Sequence, residues 1–188
     1  TGAGKDAAAP QSRIIEHADV KRMLLAQKSY CEGALALELY CARLVDEQHT
    51  GDAAAANEAR LLLEVLTPIA KSWPSEWCLE ANSLAIQIHG GYGYTRDFPV
   101  EQYWRDNRLN MIHEGTHGIQ ALDLLGRKAV MQQGAAIALF GRELQATVAQ
   151  ARTRPALAGH AEALQAAWGE VLATLAVLTP LLRSDGDR

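Results

Sequence analysis

The chain has 188 residues, 48% of them apolar and 21% charged, with a formal net charge of −4. That length suits one domain, or one domain with an extension, and the apolar share is enough for a real core. Lysines and arginines are scattered among acids, which argues against a nucleic-acid footprint or a basic membrane patch. No run approaches the roughly 18 uninterrupted apolar residues of a membrane span, and no signal peptide is visible. The chain begins at Thr1, as expected of a cut or processed product. Cys31, Cys41 and Cys78 are odd in number, widely spaced and without a CxxC pair. They read as buried thiols in a reducing compartment, the cytoplasm.

Residues 1–13 read as a small-residue linker or tail. Gly4-Lys5 does not make a phosphate loop, because Asp6 follows where Ser or Thr is needed and the upstream Gly is missing. From about Ile14 to Gln48 the pattern is helical, with Met23, Ala26, Tyr30, Ala34, Leu37, Cys41 and Leu44 at steps of three and four. Leu24, Leu25, Leu35 and Leu39 widen the stripe and predict packing on more than one side. His49-Thr50-Gly51-Asp52 predicts a turn. A second helical stretch from about Ala53 to His89 keeps Leu62, Leu66, Ile69, Trp73, Trp77, Ala81, Leu84 and Ile88 on one face. Pro68 and Pro74 lie inside it, each costing about 3 kcal/mol in a helix interior, so a kinked helix or two nearly continuous ones are expected.

His89–Phe98 is the strongest break in the chain. Pro99 then suits the start of a short helix to about Leu109. Thr116 is placed to cap another helix through Ile119, Leu122 and Leu125, ending at Arg127 and Lys128. Two more helices are expected at about Ala135–Ala151 and Leu157–Leu178, the latter with a stripe of Leu164, Trp168, Val171, Leu175 and Leu178. No strand candidate and no repeat is visible. The fold class is all-α, an up-and-down helical bundle with additional C-terminal helices. Its expected parts are a tail to residue 13, a bundle over 14–128 and a helical extension over 129–188.

Two clusters at breaks between helices carry possible chemistry. In Gln87-Ile-His-Gly-Gly-Tyr-Gly93 the glycines let the backbone turn with positive φ or pass close to a ligand. No strand precedes it, so it is not a dinucleotide fingerprint. The second cluster is Met111–Gln120, within which His113-Glu114-Gly115-Thr116-His117 matches the zinc-peptidase pattern H-E-x-x-H. That pattern needs a regular helix to bring both imidazoles to one face. Gly115 and Gly118 oppose a helix there, Gln120 stands where the extended pattern needs Gly, and a third ligand would be a remote acid such as Glu143. A solvated helix start, with Thr116 as cap, accounts for the same residues.

The joint context goes further. Ala85–Tyr94 (AIQIHGGYGY), Phe98–Gln102, Trp104–Asp106, Glu114–Thr116 and Ile119–Gln120 follow one another in order. Together they resemble the C-terminal helical domain of acyl-CoA dehydrogenases over about Ile14–Lys128, most specifically from Gln87 to Arg127. The segment after Lys128 resembles the extra C-terminal helices of a larger-subunit subgroup.

The resemblance implies a catalytic base at Glu114, which would take the pro-R α-proton of an acyl-CoA thioester while the β-hydride passes to flavin N5, giving a trans-2-enoyl-CoA. Enclosure in an apolar site raises a carboxylate pKa towards the working pH, and a nearby helix N-terminus lowers it. The backbone N–H of Glu114 and a flavin ribityl hydroxyl would polarise the thioester carbonyl. Gly115 matches a substrate-contacting glycine, and Thr116, His117 and Gly118 match positions touching FAD. Gln87, Ile88, His89, Gly90 and Gly91 match a strip that touches FAD held mainly by a neighbouring subunit, so a homo-oligomer, dimer or tetramer, is implied. An electron-transfer flavoprotein is the implied acceptor. Arg105 and Asp106 are expected to form a structural ion pair, and Tyr92, Tyr94, Trp104 and the other tryptophans to serve packing.

Two residues depart from the family pattern. His113 stands where tyrosine is common, and Ala18 where a flavin-contacting glutamine is common. The family's N-terminal helical domain and central β-domain have no counterpart in these 188 residues, so the isolated piece is expected to hold little FAD and to be inactive. Three other readings stand beside this one: a relative on the same fold with oxidase chemistry or no dehydrogenase activity, a zinc peptidase on His113 and His117, and a non-catalytic helical association module.

Overall fold

The computed structural model describes Asp6, Ala8, residues 10–113 and residues 115–184. It is all-helical among those residues, with six α-helices: α1 (Ala18–Thr50), α2 (Ala53–His89), α3 (Val100–Arg108), α4 (His117–Asp123), α5 (Ala135–Arg152) and α6 (Ala158–Ser184).

The two long helices α1 and α2 form an antiparallel hairpin, because only Gly51 and Asp52 join them. The Asp52 carboxylate accepts hydrogen bonds from the N–H groups of Ala54 and Ala55, at 3.0 and 2.9 Å, and so caps α2. The expected stripe of α1 faces α2, with Met23, Ala34, Cys41 and Leu44 buried. Leu25, Leu35 and Leu39 are about 60% exposed, contrary to the expected second packed face. They stand on the side of α1 turned away from the core.

α2 runs unbroken through both prolines. Neighbouring hydroxyls fold back on its carbonyls, Thr67 to Leu63 at 2.6 Å and Ser75 to Lys71 at 2.9 Å. The main core lies near the hairpin turn, where Cys41 and Leu44 meet Ala59, Leu61, Leu62, Val65 and Leu66 of α2 and Ala136 and Leu139 of α5. At the other end, Tyr30 of α1 packs on Trp77 with ring centroids 5.0 Å apart. An amide chain fixes α3 against α2, Asn107 donating to Asn82 at 3.0 Å and Asn110 to Asn107 at 2.9 Å.

After α4 the chain widens into a π-helical turn, Leu124–Lys128, which buries Lys128 against Glu64 of α2 in an ion pair. Gln132, Gln133 and Gly134 then take left-handed φ values of 49°, 60° and 85° before α5 begins. Two of the three are not glycine, so the link is strained. α5 and α6 form a second antiparallel pair. Gly141 of α5 admits the ring of Trp168, which would lie 3.0 Å from a Cβ there. Phe140 meets the same ring edge-on at 5.5 Å.

α6 leaves Val171, Leu172, Val177 and Leu181 exposed. Over Pro155–Leu181 an 18-residue window reaches a mean hydropathy of 1.3, so this helix is long and apolar enough to cross a membrane by length and composition. Uninterrupted apolar runs did not reveal it, because Glu162 and Glu170 break the run. Glu162 is held in an ion pair with Arg152 at 2.9 Å.

Candidate functional site

The glycine-rich strip forms the C-terminal end of α2 and a 3-10 turn, Gly90–Tyr94. Gly90 ends the helix at φ +60°, a conformation that favours glycine. Gly93 is required by close approach, since a Cβ there would lie 2.5 Å from the carbonyl oxygen of Ile86. Gly91 has neither need: its φ is ordinary, and a Cβ would meet nothing within 4 Å. Gln87, His89, Gly90 and Gly91 are exposed and Ile88 is half-buried. His89 Nδ1 lies 2.9 Å from the carbonyl oxygen of Ala85. A carbonyl can only accept, so Nδ1 carries a proton and donates it.

Tyr92 and Tyr94 are 67% and 82% exposed, so they do not serve internal packing as expected. The 3-10 turn projects them away from α2, and the edge of Tyr92 meets only Phe98, at 6.4 Å. Trp104 is also partly exposed, beside a cleft of about 380 Å³ lined by Tyr30, Glu76, Trp77, Glu80 and Met111. Trp73 and Trp77 do pack against α1.

Arg105 and Asp106 do not pair with each other. Consecutive helical residues point about 100° apart. Arg105 reaches Glu101 at 3.1 Å, and Asp106 accepts from Gln102 Nε2 at 2.8 Å.

The second cluster breaks the helical path. His113 closes a turn on Leu109, its N–H donating to that carbonyl at 2.9 Å. Gly115 has φ +113°, and α4 begins only at His117. The regular helix that H-E-x-x-H zinc binding demands is therefore absent, and His113 and His117 stand on opposite sides of a backbone break. Glu114, the expected base, lies outside the described residues. Thr116 occupies the N-cap position of α4 with extended backbone, but its hydroxyl accepts no capping hydrogen bond, contrary to the expected cap. It is exposed, as is Gly118, where a Cβ would come no closer than 3.9 Å to the Thr116 hydroxyl.

His117 is tied to the middle of α2. Its Nε2 lies 3.3 Å from Ser75 Oγ and its Nδ1 3.9 Å from Glu76 Oε2. Motif reading did not find these two residues, which carry no local signature in mid-helix. The two clusters are thus separate: His89 lies thirteen residues beyond Glu76, roughly 20 Å further along α2.

Of the three cysteines, Cys41 is buried, Cys78 half-buried and Cys31 exposed, which corrects the expectation of three buried thiols. Burial pushes the Cys78 thiol up, and the neighbouring Cys31 across the hairpin adds to the shift.

The sequence from residue 4 to 131 matches the family model described as the acyl-CoA dehydrogenase C-terminal domain. The chain is 40% identical over 134 residues to 3-methylmercaptopropionyl-CoA dehydrogenase of Ruegeria pomeroyi, covering 71% of this chain and 23% of that protein. It is 36% identical over 143 residues to the broad-specificity linear acyl-CoA dehydrogenase FadE5 of Mycobacterium tuberculosis, covering 74% and 23%. A solved structure titled Bd2924 apo-form superposes with a TM-score of 0.65 at 24% identity, over 89% of this chain and 35% of that one, and supports the fold alone. The chain belongs to the acyl-CoA dehydrogenase family, as a C-terminal domain. That family is FAD-dependent. The chain spans less than a quarter of the length of these two relatives.

Proposed function

We propose that this chain is the C-terminal bundle (14–128) and extension (129–188) of a longer, cytoplasmic, FAD-dependent acyl-CoA dehydrogenase. Glu114 is its base, taking the α-proton of an acyl-CoA thioester, and Gly115 gives the substrate room to approach. Thr116, His117 and Gly118 hold FAD on one side. Gln87, Ile88, His89, Gly90 and Gly91 touch FAD from a neighbouring subunit. When bound, FAD supplies the hydride acceptor. Supporting this, the two strips lie roughly 20 Å apart along α2, too far for both to serve one small contact on a single flavin ring. Electrons then leave to an electron-transfer flavoprotein; one relative, CarC of Acetobacterium woodii, is named as a subunit of a caffeyl-CoA reductase–Etf complex.

The observation that carries the cofactor reading is that, of the exposed glycines with no internal need (Gly91, Gly118, Gly126, Gly159 and Gly169), Gly91 and Gly118 fall one in each of the two matched strips. Glycine within a helical turn costs about 1 kcal/mol relative to alanine. Open space above both fits a flat ligand that must approach the backbone. The exposed Thr116 hydroxyl, which takes no part in capping, suits a hydrogen bond to the same ligand.

The test is anaerobic flavin bleaching in the intact polypeptide with a panel of acyl-CoAs, beside Glu114→Gln. The wild type should bleach with at least one thioester. The variant should keep FAD while its bleaching rate falls by at least about 10²-fold, the scale of a general base. Equal bleaching in the two proteins overturns the assignment of Glu114.

A further inference from the structure

We infer that Ser75, in the middle of α2, is a positioning residue for the cofactor: its hydrogen bond to His117 holds the first turn of α4 and so sets the orientation of the Thr116–Gly118 strip. This rests on the flavoenzyme reading above.

The direction of that hydrogen bond follows from its geometry. Ser75 Oγ lies 2.9 Å from the carbonyl oxygens of both Lys71 and Ser72. Those oxygens can only accept, so the hydroxyl proton goes to one of them, which leaves an Oγ lone pair for His117 Nε2 at 3.3 Å. Nε2–H must therefore be the donor. Ser75 is buried, at 7% exposure, so this lone pair has little access to solvent as a substitute. With Nε2 fixed, the ring cannot flip, and Nδ1 is left facing the Glu76 carboxylate at 3.9 Å.

The orientation of α4 depends on such contacts. Its seven residues run on into the Leu124–Lys128 π-turn, whose Lys128–Glu64 pair holds the far end, so the first turn is the part farthest from that anchor. Its N-cap residue makes no side-chain cap, so Thr116 does not anchor the entry. His117 is the first helical residue, flanked by the exposed Thr116 hydroxyl and the open Gly118. Loss of the hydrogen bond to Ser75 would release the first turn of α4, Thr116 and Gly118 with it, to shift against α2. The serine hydroxyl also folds back on the Lys71 and Ser72 carbonyls of its own helix, so the test must separate this role from the contact with His117.

The experiment is FAD titration of the intact apo-polypeptide by flavin fluorescence, for wild type, Ser75→Ala, His117→Ala and the double variant, with thermal melting of each apo-protein. Ser75→Ala should raise the FAD Kd about three- to ten-fold, the scale of one hydrogen bond, while the apo-protein still melts cooperatively, a few degrees lower at most. The double variant should bind no more weakly than His117→Ala alone, because the serine acts only through the histidine. An unchanged Kd in Ser75→Ala, or additive losses in the double variant, overturns the inference while the flavoenzyme reading stands. A wild-type polypeptide that binds no FAD overturns both.

Discussion

Gly115 and Gly91 show how one residue type is placed for two different reasons. Gly115 sits at φ +113°, and a Cβ would approach the Gln120 amide nitrogen to 2.7 Å. Gln120 is buried, at 8% exposure, so it cannot swing away freely. Gly115→Ala therefore meets backbone strain and a collision together, and should lower stability by about 1–3 kcal/mol. Gly91 faces open space at an ordinary φ, so Gly91→Ala should leave the melting temperature unchanged and weaken FAD binding in the intact polypeptide. Melting curves and FAD titrations of the two variants separate the cases. Equal loss of stability in both would mean that Gly91 is held by the fold and not kept open for a ligand.

Helices were legible in the sequence where periodicity and punctuation agreed. The bounds of α2 follow directly from Asp52 at its start and Gly90 at its end, and α5 and α6 lie within a few residues of their expected spans. The Asp52 cap accounts for the sharp start: two backbone donors that would otherwise go unsatisfied are met by one carboxylate. Asp52→Ala should cost about 1 kcal/mol, lowering the melting temperature by about 2–4 °C. Asp52→Asn should recover most of that, since its amide oxygen can accept the same bonds, and a melt of the three proteins checks it. What the sequence did not show was pairing across elements. Ser75 and His117 are 42 residues apart and share no motif, so only the packing of α4 on α2 brings them together. The directions of Tyr92 and Tyr94 were hidden for a related reason. A 3-10 turn after a glycine rotates side chains out of the helical register on which the packing expectation relied. The fold was thus readable from local pattern, and the site only as far as its motifs extend along the chain.

At the scale of the whole molecule, α2 is the shared axis, and what differs is how firmly each neighbour is held to it. α5 joins the main core through Ala136 and Leu139 and an Arg142–Glu58 ion pair at 2.8 Å. α6 touches that core only indirectly, and its main buried anchor is Trp168, seated on Gly141 and Phe140. A tryptophan truncated to alanine in a packed setting costs about 3–5 kcal/mol. In a helix attached along one edge, that loss should appear as local opening and not as global unfolding. Trp168→Ala should therefore speed proteolytic cleavage within residues 153–181 several-fold. The α1–α2 hairpin should keep its helical circular dichroism and its midpoint in denaturant. If the variant instead unfolds in one transition shifted to lower denaturant, α6 is part of the cooperative core and the bundle and extension fold as one unit.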